Sequence, residues 1–353
     1  MIKRNKKYRK KLLLCSSIMG LLLTVVIVVV VYWEITESEN PHIPSQILCT
    51  PLKDISFPPL TIVPFGGSTT FAPINDEQPD KDSVFNAIKQ VHPQFKLQHI
   101  DAPDEVYGSS VGIKWLIEGT HNLSFAQSSR LIKPEEFQEA EKRNFKLNPV
   151  PVAHDIITIY VNPKLLEQGL KGLTLKQLRN IFEGNVTNWQ EVKGPDITIT
   201  PFIRNPEKSG TAEYFQEHVM KNKPFGKGVA IEQTTTQTIK EVANNPGGIS
   251  FASAPAVITQ KSIAILPISK QSNLSFQSPC ADNNCKGVNQ NLITEQSYPD
   301  ELIRKLYVVI KQDNLDDQKA GEAYANMIRS CEGQQSLKNT GFIPIFTPST
   351  PSR

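Results

Sequence analysis

From residue 60 onward, short apolar runs alternate with segments in which apolar residues recur every three or four positions. The first pattern is typical of β-strands, and the second is typical of amphipathic helices. The predicted strands are 60–63, 95–100, 156–161, 197–203, 249–252 and 305–310. The predicted helices are 81–92, 174–183, 211–221 and 320–333. Such alternation over about 290 residues predicts an α/β fold with enough chain for two lobes.

A longer apolar run precedes these elements. Residues 12–33 carry no charge, and as a helix they would span roughly 33 Å, about one hydrocarbon core. Residues 1–11 contain seven Lys or Arg and no acid, which predicts a cytoplasmic basic tail with the rest of the chain outside. The run ends in VYWEIT rather than in small residues, so a retained single-pass anchor is favoured over a cleaved signal peptide. The polar, Pro-rich residues 34–59 then predict a linker.

The basic tail accounts for the positive charge of the whole chain. The sequence has 38 Lys and Arg and 35 Asp and Glu, a formal net charge of +3. Without the seven basic residues of the tail, 31 basic and 35 acidic residues remain, so the rest of the chain is mildly acidic. We therefore expect no nucleic-acid-binding surface.

Four cysteines follow the apolar run: Cys49, Cys280, Cys285 and Cys331. An even number of cysteines outside the cytoplasm favours disulfide bonds. Cys280 and Cys285 could close a short loop, which would leave Cys49 for Cys331, but the sequence allows three pairings. Zinc is less favoured because the six histidines are scattered and no Cys-x2-Cys occurs. We expect neither a metal nor another cofactor.

Three turns rich in glycine and hydroxyl residues precede predicted helices, at 66–70, 108–110 and 209–211. Arg204 lies five residues before Ser209, the first residue of the third turn. A helix N-terminus offers unpaired N–H groups and the positive end of the helix dipole. Each turn alone is explained by ordinary helix capping. Three of them converging at strand ends, together with one arginine, predict a donor-rich anion site.

At this point the sequence resembles the phosphate-binding proteins of phosphate ABC transporters, the PstS type. GGSTTFAPI and YGSSVGIKWLIEG resemble the first two ligand loops of that family, and PVAHDIITIYVNP resembles the crossover into its second lobe. LTLKQLRNIFEGNVTNWQEV is similar to a signature of that lobe, and NNPGGISFAS to the return crossover. SYPDELIRKLYVVI and GQQSLKNTGFIPI resemble the closing strand, helix and strand. Each motif is short, but the series covers roughly residues 60–347 in consistent order.

The resemblance implies a fold and a function. The fold is the two-lobed α/β periplasmic-binding-protein fold of the second type, with lobe 1 from 60–150 and 254–347 and lobe 2 from 151–253. The implied function is capture of inorganic phosphate in the cleft between the lobes, without catalysis, for a phosphate ABC permease. By position, the implied phosphate contacts are Thr70, Phe71 (through its amide), Ser109, Arg204, Ser209, Gly210 and Thr211.

The sequence departs from the family pattern at two positions. Ser129 stands where the best-known members carry an Asp that accepts the proton of phosphate. A serine hydroxyl accepts but also donates, so it rejects sulfate less strongly. Selectivity for phosphate over sulfate is therefore left open, although we include Ser129 in the site. Arg204 precedes Ser209 by five residues rather than the usual four.

Two other functions remain as alternatives. GSSVG matches Gly-x-Ser-x-Gly with Ser110 as the nucleophile of a hydrolase, but no strand directly precedes it and no histidine pattern supports it. A membrane-tethered oxyanion sensor or scavenger would use the same cleft without a transporter. Trp115 and Trp189 are expected to pack in the lobes rather than to contact a ligand.

Overall fold

The computed structural model describes residues 49–59, 62–78, 80–100, 108–207 and 209–346. The predicted tail, the apolar run and most of the predicted linker lie outside these ranges. Within them, no helix is both long enough and apolar enough to cross a membrane.

Six of the strands in the described ranges overlap the predicted ones, with different bounds, and the other six were not predicted. They are β1 (Val63–Gly67), β2 (Leu97–His99), β3 (Phe125–Ser128), β4 (Lys146–Val161), β5 (Leu173–Thr174), β6 (Thr200–Arg204), β7 (Ala230–Glu232), β8 (Gly248–Ser253), β9 (Ala264–Ile265), β10 (Ile268–Ser269), β11 (Ile303–Gln312) and β12 (Ile343–Pro344). The main sheet has the order β2-β1-β3-β11-β4-β8-β6-β7, and β9 and β12 also pair with β4. β5 and β10 form a separate parallel pair.

The long strand β4 connects the two halves of this sheet. It has 16 residues, pairs antiparallel with β11 from Lys146 to Ile156, and pairs antiparallel with β8 from Ile157 to Val161. On either side, β1 is parallel to β2 and β3, and β6 is parallel to β7 and β8. β4 therefore carries the chain from one lobe into the other, as its resemblance to a crossover implied.

The helices cover both lobes. They are α1 (Val84–Val91), α2 (Ser109–Glu118), α3 (Pro134–Lys142), α4 (Pro163–Glu167), α5 (Leu175–Phe182), α6 (Gly210–His218), α7 (Thr235–Asn244), α8 (Ala254–Val257), α9 (Asp316–Ile328) and α10 (Cys331–Asn339). The single helix predicted at 320–333 is wrong. Ser330 has extended backbone angles, and its side chain accepts a hydrogen bond from the Gly333 N–H, so it ends one helix and caps the next.

Each lobe has its own apolar core. In the first lobe, the ring of Phe125 stacks on Tyr324 with centroids 4.3 Å apart. In the second lobe, Phe215 stacks on Phe251 with centroids 3.8 Å apart. Several buried residues between 254 and 302, a segment that the family resemblance assigned to lobe 1, pack into the second-lobe core: Ala254, Ile258, Leu266, Ile268, Val288, Leu292, Tyr298 and Leu302. Trp115 and Trp189 are both buried.

The end of the predicted linker packs against the first lobe. Leu52 and Ile55 are buried in its core, and the Leu52 N–H donates to the Glu332 carboxylate at 2.7 Å. A disulfide joins Cys49 to Cys331. Residues 49–59 are thus part of the folded domain, because the disulfide and two apolar side chains hold them there. A second disulfide joins Cys280 to Cys285, so the structure shows one of the three pairings that the sequence left open.

Candidate functional site

The N-terminus of α6 faces the cleft between the lobes. β6 ends at Arg204, and Ser209 caps the helix because its hydroxyl accepts from the Ala212 N–H at 3.3 Å. The N–H groups of Gly210 and Thr211 make no hydrogen bond within the described part of the chain. A helix start with free N–H groups offers donors and a positive partial charge to an anion.

Arg204 reaches across the cleft, and none of the described residues is its acidic partner. Its Nη1 donates to Thr69 Oγ1, in the first lobe, at 3.2 Å. Its Nε is buried and has no hydrogen-bond partner among the described residues. Burial lowers the pKa of the Arg204 guanidinium below its ordinary value, because desolvation penalises the charged form. A half-buried cation with an unused donor is poorly satisfied unless an anion binds beside it.

A cluster of serines lies on the first-lobe side. Ser68 donates to Ser129 Oγ at 3.0 Å. The Oγ atoms of Ser109 and Ser129 are 3.2 Å apart, and Ser109 Oγ also accepts from the Ser129 N–H at 3.0 Å. Ser109 is the first residue of α2, and Ser68 caps the short 3-10 turn Thr69–Phe71. Two of the three hydroxyl-rich turns in the sequence therefore meet at this point.

The cleft encloses a cavity of about 210 Å³. This is smaller than the roughly 300–1,000 Å³ of pockets for drug-sized ligands, so it suits a small ion. Four of the sequence-predicted residues line it: Thr70, Arg204, Ser209 and Thr211. The other predicted residues do not line the cavity. Ser109 and Ser129 are buried next to Gly210, and the Phe71 ring is buried in the first-lobe core.

A second arginine at the cleft was not predicted from the sequence. Arg304, on β11, pairs with Asp155 on β4, with Nη2 and Oδ2 2.8 Å apart. It also donates to Thr70 Oγ1 at 3.0 Å and to Thr211 Oγ1 at 2.8 Å. The available signal was a charge in each of two apolar strands: Asp155 in HDIITIYV, and Arg304, followed by Lys305, in LIRKLYVVI. Only the strand register places the two charges opposite each other.

A third arginine joins α6 to the first lobe. Arg130 makes hydrogen bonds to both carboxylate oxygens of Glu136, at 2.9 and 2.7 Å, and its Nε lies 3.2 Å from Glu213 Oε2 on α6. Lys133 also forms an ion pair with Glu213. The Ser110 hydroxyl accepts from Arg130 at 2.9 Å. A Ser110 nucleophile would need a base as its partner, and Ser110 has an arginine instead.

The described residues contain no cluster of three His, Cys, Asp or Glu side chains that could hold a metal ion. The site described above consists of two arginines, hydroxyl groups and backbone N–H groups. Such a set of donors favours a small oxyanion.

Comparison with known families identifies the chain. A family model described as a PBP superfamily domain matches residues 58–330. The chain belongs to this superfamily. The match runs through both lobes and every element that lines the cleft, so the site described above is part of the superfamily domain.

Individual relatives of this PBP domain are phosphate-binding proteins by name. The phosphate-binding protein PstS of Staphylococcus aureus is 25% identical over 281 residues, which cover 78% of this chain and 76% of that protein. PstS of Staphylococcus epidermidis is also 25% identical over 281 residues, with 78% and 77% covered. These comparisons confirm the resemblance stated from the sequence, and the relatives are binding proteins rather than enzymes.

Solved structures of PBP-domain proteins give the same result. A phosphate ABC transporter substrate-binding protein with bound phosphate from Clostridium perfringens has a TM-score of 0.62 and 25% identity, and the match covers 80% of this chain and 99% of that one. An ABC-type phosphate transport receptor from Vibrio cholerae has a TM-score of 0.58 and 22% identity, with 80% and 99% covered. The second likeness supports the fold alone. The predicted two-lobed α/β fold is confirmed.

Proposed function

We propose that this chain is an extracytoplasmic solute-binding protein that captures inorganic phosphate in its cleft for an ABC transporter. The observation that carries the proposal is Arg204, which lines the same cavity as the N-terminus of α6 and has a buried Nε with no hydrogen-bond partner among the described residues. A tetrahedral oxyanion in the cavity would satisfy both. The names of the relatives, and the phosphate bound in the structure from Clostridium perfringens, support phosphate as that anion.

The proposed contacts come from both lobes. Thr70 would donate through its hydroxyl, and Phe71 and Gly210 through their backbone N–H groups. Arg204 supplies the charge. Ser209 and Thr211 line the same cavity. Ser109 and Ser129 stand behind Gly210, where their hydroxyls can accept as well as donate, which would suit a phosphate oxygen that keeps its proton.

The segments that precede the domain, the partner and the boundary between the lobes complete the proposal. Residues 12–33 would anchor the chain in the membrane, with the tail 1–11 in the cytoplasm and the binding domain outside. The partner would be a phosphate ABC permease. We place the return to the first lobe at Ile303, where β11 begins, because the preceding segment packs with the second-lobe core.

Equilibrium dialysis with radiolabelled phosphate tests this function. The protein, freed of bound anion, should retain phosphate, and unlabelled phosphate should displace the label where acetate does not. Competition by sulfate measures the selectivity for phosphate over sulfate, which the presence of Ser129 leaves open. A folded protein that retains no label would overturn the phosphate assignment. Retention without any interaction with a phosphate permease would instead favour the tethered sensor.

A further inference from the structure

Arg304 contacts both lobes from the strand that joins them. It lies opposite Asp155 in the register of β11 and β4. Its Nη2 donates to Thr70 in the first lobe and to Thr211 in the second, at 3.0 and 2.8 Å, and its Nη1 donates to the Gly210 carbonyl at 3.2 Å. One guanidinium therefore bonds to a cavity-lining hydroxyl from each side of the cleft.

Asp155 fixes the position of this guanidinium. The Arg304 side chain is 1% exposed and the Asp155 side chain is 0% exposed. Arg304 Nε donates to Asp155 Oδ2 at 2.9 Å, and the Ser253 hydroxyl donates to Asp155 Oδ1 at 2.5 Å. Burial raises the pKa of the Asp155 carboxyl above its ordinary value, and Arg304 and Ser253 act in the opposite direction. A buried arginine with this many partners has little freedom to rotate.

The two threonines have a defined hydrogen-bond direction as a result. An arginine N–H can only donate, so each threonine oxygen must accept from it. The O–H hydrogen of each threonine then points away from Arg304, and no described side chain or carbonyl accepts it. Both residues line the cavity. Their hydroxyls are therefore available to an anion as donors, and Arg304 already uses one of the two acceptor lone pairs of each oxygen.

We propose that Arg304, held by Asp155, is a positioning residue that makes Thr70 and Thr211 donors to the bound anion, so that the cleft selects oxyanions by their unprotonated oxygens. This inference rests on the proposed phosphate-binding function. Each proton added beyond the one that Ser109 or Ser129 can accept turns an acceptor oxygen into a donor, and that donor then faces Arg204, Thr70 or Thr211. The dianion of phosphate fits this arrangement better than the monoanion does, and a fully unprotonated oxyanion also fits.

Calorimetric titration of the full chain in detergent, freed of bound anion, tests the proposal between pH 5.5 and 8. The key variant is Asp155→Asn combined with Arg304→Met, which removes both charges and leaves no buried ion unpaired. Arg304→Lys keeps a cation beside Asp155 but offers donors from a single nitrogen. Arg179→Met is the matched control, because Arg179 is a second-lobe arginine that donates to the Val219 carbonyl and does not line the cavity. Circular dichroism establishes that each variant is folded.

We expect wild-type affinity for phosphate to rise about tenfold per pH unit below the second pKa of phosphate, the slope for release of one proton. In the double variant the threonine oxygens are free to accept. The rise in phosphate affinity should fall to about threefold per pH unit or less, and the affinity for the dianion should be reduced roughly tenfold. The pH dependence of phosphate affinity in Arg304→Lys should lie between those of the wild type and the double variant, and that of Arg179→Met should match the wild type.

The pH dependence of sulfate binding distinguishes protonation of the ligand from titration of groups in the protein. Among the described residues, Asp155 pairs with Arg304, Arg204 lines the cavity with the two threonines, and α6 also carries Glu213 and Tyr214, the ring centroid of Tyr214 being 5.9 Å from Arg304. Because sulfate gains no proton in this range, its affinity should stay flat with pH in the wild type. A phosphate slope that is identical in the wild type and the double variant would overturn the inference alone. A folded wild type that binds no phosphate would overturn the proposed function and the inference with it.

Discussion

Gly210, the first residue of α6, lies directly against Ser129 across the cleft. A Cβ atom added to Gly210 would stand 2.9 Å from Ser129 Oγ and 3.0 Å from Ser109 Oγ. Such distances are shorter than ordinary van der Waals contacts, so the two lobes approach this closely only because position 210 has no side chain.

We expect Gly210→Ala to weaken phosphate binding by about tenfold or more, because the added methyl group would hold the lobes apart. The unfolding temperature of the unligated protein should change little, since α6 itself accepts alanine. Gly228→Ala is the matched control, because a Cβ at Gly228 has no neighbour within 4 Å. Equal affinities in the two variants would contradict the close approach of the lobes.

Glu213 should contribute to closure of the lobes. It accepts a hydrogen bond from Arg130 and forms an ion pair with Lys133, both in the first lobe, and Arg130 keeps Glu136 as a partner if Glu213 is replaced. We expect Glu213→Gln to lower phosphate affinity roughly threefold to tenfold, about 1 kcal/mol, and to increase the radius of gyration of the unligated protein. Glu139→Gln, which removes exposed ion pairs within α3, should change neither quantity. A calorimetric titration and small-angle scattering measure the two effects.

The two disulfides should differ in their contribution to stability. Cys49 and Cys331 are 282 positions apart, whereas Cys280 and Cys285 are 5 apart. A longer closed loop restricts the unfolded chain more, so the chain-entropy model gives roughly 5.6 kcal/mol for the first disulfide and roughly 2 kcal/mol for the second. Replacing each pair with serines and comparing urea unfolding checks this order. A larger loss for the Cys280 and Cys285 pair would contradict it.

His154 should make the protein less stable in mild acid. Its Nδ1 is buried without a partner among the described residues, and burial followed by the charge of Lys305 lowers the pKa of His154 below 6.5. The unfolded chain therefore takes up a proton at higher pH than the folded chain, and stability falls as the pH drops below about 6.5. We expect the effect to be below about 1 kcal/mol, because the ring is partly exposed. Urea unfolding at pH 7.5 and 5 should show a smaller difference for His154→Gln than for the wild type or for the exposed control His121→Gln.

The sequence was most informative where the structural cause is local. Ser209 caps α6 through an N–H group three residues away, and Ser68 caps its turn through the N–H group two residues away. Such short-range bonds leave a recognisable pattern of hydroxyl residues before a helix. The pattern therefore predicted the donor-rich turns and the nearby Arg204 without any knowledge of the packing.

The rest of the site depends on contacts between distant segments. Arg304 meets Thr70 across 234 positions of the chain, and Arg130 meets Glu213 across 83. Neither contact can be predicted from the hydrophobic periodicity of the sequence. Each depends on the register of β11 on β4 or on the closure of the cleft. The same limit explains the helix predicted at 320–333, since its composition favours a helix throughout and only the conformation of Ser330 divides it.

The central claim is that the cleft binds phosphate through Arg204, and a calorimetric titration of phosphate into wild type and Arg204→Ala tests it most directly. We expect the wild type to bind at one site, and Arg204→Ala to lose about 30-fold or more in affinity, because removal of a half-buried cation from an ion pair costs about 2 kcal/mol or more. Arg143→Ala, which removes an exposed arginine paired with Glu139, should bind as the wild type does. Equal phosphate affinity in Arg204→Ala and the wild type would contradict the account.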